Sequence, residues 1–370
     1  MPGDFSFGIE EEYFLVDART GLVARSMPQD FLDAAKRGLG PCVTGEFLQS
    51  QIEIVTQPFT DMAAARTELS RLRRALATIA AAHGLAIFAA GTHPTANWER
   101  SRQSEGKRYD TVMDDLQMIG QRNMLCGLHV HVALPDPDQR VDMMIRMLPY
   151  LPLFIALSTS SPFWRSRQTG LKGYRLAAYD ELPRTGVPEL LRTKADYEAY
   201  IDALVRAGVM PNASYIWWAI RPSHNHPTLE LRAPDCCTWL DDTLAIASLY
   251  RALARRLTRN PWLHWDISSV SRAIIVENKW RAQRYGINGS FVRIEGDGAI
   301  SVREFTEQVV NEIAGDAQAL GCAAEVEHCL RIIERGTSAD NQLAIYDELA
   351  DDPETALRAV IAWVTEQTLR

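Results

Sequence analysis

Four segments of this chain alternate apolar and polar residues, and this period-two pattern constrains the fold more than any other feature of the sequence. Successive side chains of a β-strand point to opposite faces. In FGIEEEYFLVD, Glu10 and Glu12 therefore share one face, while Ile9, Tyr13 and Leu15 share the other. The segments SQIEIVT, GLHVHVAL and TLELRAPD repeat the design, with polar faces that carry Glu53, His129, His131, Glu230 and Arg232. The pattern predicts an amphipathic sheet with helices over its apolar face and charged groups collected on the other.

Helical and strand-like segments alternate irregularly, without an internal repeat or a Pro/Gly/Ser-rich linker. We therefore expect one α+β domain over residues 1–370, with an all-helical part from about residue 303. Strands are predicted at 7–16, 51–56, 86–91, 127–134, 215–221 and 228–233. Helices are predicted at 61–83 (with Asp61 as N-cap and Gly84 as the stop), 141–158, 242–258, 303–313, 323–335, 339–349 and from Asp352 and Pro353 onward.

Composition argues against several classes of partner and location. The 47 acidic residues exceed the 39 basic ones, and the net charge of -8 disfavours a nucleic-acid-binding surface. The six cysteines form no CxxC pair, which favours a reducing compartment. Residues 1–8 lack the features of a secretory signal, and the longest apolar run, 148–157, is about half the roughly 20 residues of a membrane span. We expect a cytoplasmic protein without membrane partners, and a homodimer as the default assembly.

The polar strand faces predict a metal site if they line one cavity. At least four carboxylates would then converge, and two unit charges 4 Å apart repel by about 4 kcal/mol at an effective dielectric near 20. Such a cluster needs cations. Carboxylate oxygens with one imidazole suit Mg²⁺ or, as the alternative, Mn²⁺, whereas zinc prefers more His or Cys ligands.

Arginines lie where an anionic substrate would need them. Arg221 and Arg232 flank a predicted hairpin, and Arg281 and Arg284 are three residues apart on one helical face. Metal-binding acids beside arginines indicate phosphoryl transfer. The chain has no GxxxxGK[ST] loop and no convincing GxGxxG, so a nucleotide would be held through metal ions and arginines.

Each of these features also has a purely structural explanation. A Glu-x-Glu strand is commonly a solvated edge, one histidine of an HxH pair is often a core residue, and Arg281 and Arg284 would suit the wet face of a helix. The HNH loop, 224–226, fits a turn between two prolines better than a metal site. Glu11 points away from its neighbours by strand parity, so we expect it to pair with a basic residue on a covering helix. The same cluster would also suit a metal-dependent amide hydrolase, or a binding module without activity.

Six motifs carry a resemblance to a known family: FGIEEEYFLVD, EFLQSQIEIVT, AAGTHP, CGLHVHV, HPTLELRAPD and ENKWRAQRYG. In this order they resemble the type 2 glutamate-cysteine ligase family and, more narrowly, the YbdK-type carboxylate-amine ligases, from about residue 5 to residue 343. The resemblance implies an antiparallel sheet curved into a partial barrel with helices outside, a glutamine synthetase-like catalytic fold. It also implies that ATP phosphorylates the γ-carboxylate of L-glutamate, and that an amine, L-cysteine by default, displaces phosphate from the acyl phosphate to give a glutathione precursor.

The resemblance also assigns residues. It implies metal ligands at Glu10, Glu12, Glu46, Glu53, His129 and Glu230, with His131 as a further candidate. It assigns substrate or ATP phosphate to Arg221, Arg232, Arg281 and Arg284, and the reaction itself to Arg232, Glu53 and Glu230. Glu46 and Glu53 are seven residues apart, an odd spacing, so both can face one cavity only if a turn, bulge or helical residue intervenes.

Overall fold

The structure, a computed structural model, describes residues 5–370. The strands are β1 (Phe7–Asp17), β2 (Val43–Gly45), β3 (Gln51–Val55), β4 (Leu85–Phe88), β5 (Leu128–Ala133), β6 (Phe163–Trp164), β7 (Arg167–Gln168), β8 (Ile220–Pro222), β9 (Thr228–Leu231), β10 (Ser290–Val292) and β11 (Ala299–Ser301). The helices are α1 (Gln29–Leu39), α2 (Met62–Ala82), α3 (Lys107–Leu116), α4 (Met118–Gln121), α5 (Arg140–Met147), α6 (Leu151–Ser158), α7 (Tyr174–Tyr179), α8 (Lys194–Arg206), α9 (Leu240–Arg259), α10 (Ser269–Tyr285), α11 (Val302–Ala319), α12 (Ala323–Arg335), α13 (Ser338–Glu348) and α14 (Pro353–Gln367).

One antiparallel sheet of seven strands organises the molecule. Its order is β2-β3-β1-β5-β9-β8, and β4 pairs with the C-terminal part of β1. The path ends at β2 on one side and β8 on the other, so the sheet is open and does not close into a barrel. Strand β1 lies at the centre because it is long enough to pair with β3, β5 and β4 along successive parts of its length.

The apolar face of the sheet forms the core, as the alternation predicts. Ile9, Tyr13, Val130 and Leu231 are fully buried on this face. Helix α9 packs on β1 and β5, and α2 packs beside it on β4. Fifteen of the residues of α9 are buried, so this helix is enclosed on most sides and its position fixes the helical layer.

The helix boundaries follow the predicted capping signals closely. The Asp61 carboxylate accepts a hydrogen bond from the backbone N–H of Ala64 at 2.7 Å, and the chain leaves α2 through Gly84 at φ +69°. Asp352 caps α14 in the same way through Thr355, with Pro353 in the first turn. Helices α11 to α14 confirm that the part of the chain after about residue 302 is helical.

Two predicted elements are wrong in part. The single helix predicted at 141–158 is divided into α5 and α6 by a short 3-10 turn at Leu148–Tyr150, because Pro149 and Pro152 lack the N–H that a continuous helix requires. The strand predicted at 215–221 exists only as β8. The first part of the predicted segment instead hydrogen-bonds to a neighbouring loop, where the Trp217 N–H donates to the carbonyl of Arg184 at 2.9 Å.

Glu11 has the partner that strand parity predicts. It is fully buried, and Arg73 of α2 donates to its carboxylate from Nη2 at 2.5 Å and from Nε at 3.0 Å. The hydroxyls of Thr243 and Tyr13 donate at 2.6 and 2.5 Å. Burial opposes ionisation, but the charge of Arg73 outweighs it, and the pKa of Glu11 is lowered. The prediction of a structural ion pair for Glu11 is confirmed.

One stretch of the described chain, Pro137–Ser158, is long and apolar enough to cross a membrane by length and hydropathy alone. It contains α5 and α6, and 94% of its most apolar part is buried inside the protein. Such burial is typical of a core helix in a soluble protein.

Candidate active site

A cavity of ≈ 350 Å³ lies over the polar face of the sheet. Strand pairing sets Glu12 of β1 opposite Glu53 of β3, and Glu10 opposite His129 of β5. The same pairing sets His131 opposite Glu230 of β9. The cavity is lined by all six predicted metal ligands and three further predicted residues: Glu10, Glu12, Glu46, Glu53, His129, Glu230, His131, Arg221 and Arg232.

Two groups of potential ligand atoms form within this cavity and share one imidazole. The first consists of Glu10, His129 and Glu230, and the second of Glu12, Glu53 and His129. In each group, one ligand atom per residue lies within 4.8 Å of the others. This spacing is compatible with a cation bound at the centre of each group.

Glu46 reaches the same cavity by the turn that its odd spacing from Glu53 requires. Strand β2 ends at Gly45 and β3 begins at Gln51, so residues 46–50 form the connection. The turn is held by the Ser104 hydroxyl, which donates to the Glu46 carbonyl at 2.5 Å. Glu46 lies outside both ligand groups, although its carboxylate is close enough to Glu53 for a hydrogen bond.

Burial and mutual repulsion set the protonation of the acidic cluster. Burial, followed by the charge of Glu12, raises the pKa of Glu46 to about 8. Burial also raises the pKa of Glu53 well above its ordinary value. For Glu10, burial again opposes ionisation, but hydrogen bonds to the two histidines outweigh it and lower the pKa. Without a cation, protons at Glu46 and Glu53 therefore relieve the repulsion, and a bound cation would replace them.

The imidazole of His129 supplies an independent indication that the cavity suits a cation. His129 Nδ1 lies 3.2 Å from a carboxylate oxygen of Glu10, and His131 Nδ1 lies 2.8 Å from the hydroxyl of Thr228. His131 Nε2 lies 3.3 Å from the other carboxylate oxygen of Glu10, whereas His129 Nε2 is buried without a hydrogen bond among the described residues and lies 3.7 Å from a carboxylate oxygen of Glu12. An imidazole lone pair left free among carboxylates fits a hard divalent cation, so the residues present suit the predicted metal.

Glu230 makes stronger contacts with arginines than its predicted role as a metal ligand suggests. Arg221 donates to it from Nε at 2.8 Å and from Nη2 at 3.1 Å, and Arg232 donates from Nη1 at 2.5 Å. Burial opposes ionisation of Glu230, but the charges of Arg232 and Arg221 hold its pKa well below the usual range. In this arrangement Arg221 and Arg232 neutralise a protein carboxylate, as well as facing the cavity.

Arg281 and Arg284 are not brought to this cavity. Both lie on α10, as the helical spacing predicts, but Arg281 donates to the carbonyl and hydroxyl of Ser290 at 2.6 and 2.9 Å. Arg284 is exposed and lies over the ring of Tyr285. Their assignment to substrate or phosphate therefore gains no support from the geometry.

Arg175 is a candidate residue that the sequence does not reveal. It belongs to the short helix α7, is 2% exposed and lines the cavity. Its Nη1 donates to the carbonyls of Arg232 and Pro234 at 3.2 and 3.1 Å, and its guanidinium lies over the ring of Tyr179. Gly127, directly before β5, makes room for it: a Cβ there would lie 2.1 Å from Arg175 Nη2. No periodicity marks this segment, so only the glycine offers a signal.

Part of the cavity wall is apolar and aromatic, and the sequence does not predict it. Helix α3 contributes Tyr109, Val112 and Leu116, whose spacing places them on one helical face. Phe47 and Trp217 complete this wall from two loops. The cavity therefore combines a charged floor, suited to phosphate and carboxylate groups, with a wall suited to an apolar or flat group.

Comparison with known sequences gives a consistent result along the whole chain. A family model described as glutamate-cysteine ligase family 2 matches residues 6–360. "Putative glutamate--cysteine ligase 2" of Bradyrhizobium sp. (strain ORS 278) is 55% identical over 366 residues, covering 99% of this chain and 88% of that protein. The protein of the same name from Rhodospirillum rubrum is 42% identical over 369 residues, covering 97% and 94%.

Solved structures share the fold at low identity. A bifunctional glutathione synthetase from Pasteurella multocida matches with a TM-score of 0.71 and 16% identity, over 98% of this chain and 52% of that one, so this chain spans about half its length. Glutamate--cysteine ligase from Francisella tularensis, solved in complex with AMP, matches with a TM-score of 0.65 and 14% identity, over 99% and 92%. These likenesses show the fold alone, a mixture of helices and antiparallel sheet.

Proposed function

Because the chain belongs to glutamate-cysteine ligase family 2, a family of C–N bond-forming ligases, we propose that it is an ATP-dependent carboxylate-amine ligase. Its substrates are L-glutamate, through the γ-carboxylate, and an amine, with L-cysteine as the first candidate. The observation that carries the proposal is that two groups of potential metal ligands share His129 in one cavity beside Arg232. The resemblance of the six motifs to this family is confirmed by the match over residues 6–360.

The proposed reaction has two steps. In the first, a γ-carboxylate oxygen of glutamate attacks the terminal phosphorus of ATP, the bond to the bridging oxygen breaks, and ADP leaves. In the second, the amine attacks the acyl carbon of the acyl phosphate, phosphate leaves with the bonding pair, and the nitrogen loses a proton. ADP, phosphate and an amide are the products.

The residues of the cavity suit this reaction by position and charge. Glu10, Glu12, Glu46, Glu53, His129 and Glu230 would hold divalent cations. Mg²⁺ or Mn²⁺ bound there would neutralise phosphate charge. Arg232 is fixed by Glu230 and by the hydroxyl of Tyr179, which accepts from its Nη2 at 3.3 Å, so its guanidinium is preorganised to stabilise charge on the transferred group. Arg175 would place a second, buried positive charge beside His129.

We propose that the open, antiparallel sheet corresponds to the partial barrel of a glutamine synthetase-like catalytic fold, and that residues 1–370 act as one domain. A cytoplasmic location would supply ATP and agrees with the six cysteines, which are all buried and free.

A direct assay tests the reaction. Purified protein with Mg²⁺, ATP and L-glutamate should release ADP only when an amine is added, with L-cysteine first and a panel of other amino compounds after it. Amide hydrolysis without ATP would instead favour a metal-dependent hydrolase. A protein that neither turns over nor binds ATP would be a binding module, and the ligase proposal would be wrong.

Replacing Gly127 with Ala should reduce kcat by about 100-fold, because displacement of a positioned group by roughly 1 Å has effects of that order. The new Cβ would lie 2.1 Å from Arg175 Nη2 and 3.1 Å from His129 Nε2, so the buried guanidinium has to move. Steady-state ADP release measures the effect. Gly315→Ala on α11 is the matched control, since its Cβ would meet nothing within 4 Å. An unchanged kcat in Gly127→Ala would remove Arg175 from the proposal.

A further inference from the structure

The motif ENKWRAQRYG of helix α10 contributes neither Arg281 nor Arg284 to the cavity, but it also contains two buried polar residues. Lys279 is 7% exposed and Gln283 is 2% exposed. They are four residues apart and therefore lie on one face of the helix. A lysine and a glutamine removed from water need polar partners. The neighbouring helix α7, on which α10 packs, provides them.

Both side chains bind α7 or the residue that directly follows it. The ammonium of Lys279 donates to the carboxylate of Asp180, which comes immediately after the helix. In the amide orientation that satisfies its neighbours, the side-chain oxygen of Gln283 accepts from Lys279 Nζ at 3.3 Å. The same oxygen accepts from the backbone N–H of Ala177, in the middle of α7, at 3.2 Å. One glutamine oxygen thus joins the buried ion pair to the backbone of α7.

The first turn of α7 is held by a second set of residues. The hydroxyl of Ser161 accepts from the backbone N–H of Arg175 at 2.9 Å and donates to the carboxylate of Asp235 at 2.6 Å. Asp235 is 3% exposed, and Gly91 makes room for it, since a Cβ there would lie 2.6 Å from its carboxyl carbon. A helix of six residues is unstable in water by itself. The position of α7 therefore depends on these contacts from outside the helix.

Helix α7 in turn fixes two arginines of the cavity. Arg175 belongs to it, and the Nε atom of this residue is buried without a hydrogen bond in the described part of the chain. Tyr179 lies four residues later, with its ring centroid 5.6 Å from the guanidinium carbon of Arg175. The hydroxyl of Tyr179 accepts from Arg232 Nη2 at 3.3 Å. A displacement of α7 would therefore disturb two positive charges of the cavity at once.

We propose that Lys279 and Gln283 are positioning residues of the ligase, which hold α7 so that Arg175 and Arg232 face the phosphoryl group transferred from ATP. Neither Lys279 nor Gln283 is among the described residues that line the cavity, so both act through α7. Positive charges held in place stabilise a developing negative charge without reorganising during the reaction, and loosely held arginines lose part of this effect. The inference rests on the proposed function, and it gives the motif of α10 a role in that reaction without contact to the substrate.

Removing the acceptor oxygen of Gln283 tests the effect on the reaction. Gln283→Leu should lower kcat for ADP release by about 10- to 100-fold, because displacement of a positioned group by roughly 1 Å has effects up to that size. Lys279→Met should act in the same direction. Gln283→Glu should retain most of the activity, since a carboxylate oxygen can accept the same two hydrogen bonds. In all three variants Mn²⁺ should still raise the Tm, because the acidic cluster is unchanged.

Hydrogen exchange followed by mass spectrometry reports on α7 without any turnover. Peptides that cover residues 174–180 should exchange on the order of 10-fold faster in Gln283→Leu and Lys279→Met than in wild type, because α7 loses contacts with α10. Exchange in the strands of the main sheet should stay at the wild-type rate. Gln318→Leu, on the exposed surface of α11, is the matched control and should change neither exchange nor kcat.

The proposal requires both changes. Wild-type kcat in Gln283→Leu and Lys279→Met would overturn it, and so would unchanged exchange in α7. Faster exchange over the whole chain, or a Gln283→Glu variant as impaired as Gln283→Leu, would also overturn it. A wild type that releases no ADP would instead overturn the proposed reaction, while faster exchange confined to α7 would still show that Lys279 and Gln283 hold this helix.

Discussion

Replacing Glu53 with Gln is expected to abolish amine-dependent ADP release while leaving the metal-free protein as stable as wild type. Glu53 is deep in the acidic cluster, and burial together with its acidic neighbours raises its pKa well above the ordinary value. Its protonated form is therefore favoured in the metal-free protein, and an amide of nearly the same shape is a close substitute for that form. As a ligand, however, the amide lacks the negative charge that holds a divalent cation. We therefore expect the variant to lose several kcal/mol of transition-state stabilisation, which lowers kcat by about 1,000-fold.

Two measurements separate this effect from a structural one. Thermal unfolding without metal should give equal Tm values for Glu53→Gln and wild type. Added Mn²⁺ should raise the Tm of wild type, since a ligand that binds only the folded state stabilises it, and this increase should be lost in the variant. Glu354→Gln, on the exposed surface of α14, is the matched control. Wild-type turnover in Glu53→Gln would show that the assignment of this residue to the metal is wrong.

The same substitution at Glu230 should behave differently. Glu230 is 2% exposed and accepts hydrogen bonds from both Arg221 and Arg232. Gln at this position would leave two guanidinium groups without their counter-charge. Breaking a buried ion pair by removing one partner costs about 3 kcal/mol or more. Glu230→Gln should therefore lose stability as well as activity, and it is a poorer probe of the chemistry than Glu53→Gln.

Replacing Arg73 with Met is expected to have the largest effect on stability, about 3–5 kcal/mol. Arg73 is 2% exposed and neutralises Glu11, which has no access to water. It also donates to the carbonyls of Cys237, Thr238 and Thr368, which the methionine would leave without these hydrogen bonds. A loss of this size is a large fraction of the stability of a typical domain. Urea unfolding followed by circular dichroism measures it.

Arg71 of the same helix offers the matched control. Its ion pair with Glu68 is exposed, at 51% and 27% of the two side chains, so Arg71→Met should change the free energy of unfolding by less than about 0.5 kcal/mol. If Arg73→Met is soluble and unfolds at the same urea concentration as wild type, the buried ion pair contributes nothing measurable to the free energy of unfolding. A double variant, Glu11→Leu with Arg73→Met, should recover part of the loss because no uncompensated charge remains buried.

Strand parity alone predicted much of the candidate site. Because side chains alternate along any strand, the sequence separates Glu10 and Glu12 from Glu11, and the structure places the first two in the cavity and the third against Arg73. Capping signals likewise located α2 and α14 nearly to the residue. Both are local effects of covalent geometry and of backbone groups near a helix end, so no knowledge of distant residues is needed.

Tertiary structure decided what those faces meet. That His129 joins two ligand groups depends on the pairing of β5 with β1, and that Glu230 is held by Arg221 depends on the pairing of β8 with β9. Arg175 enters the cavity from α7, and Arg281 is directed to Ser290 instead, although nothing in their local sequence distinguishes these outcomes. Local sequence sets which way a side chain points, whereas the packing free energy of the whole chain sets which elements become neighbours.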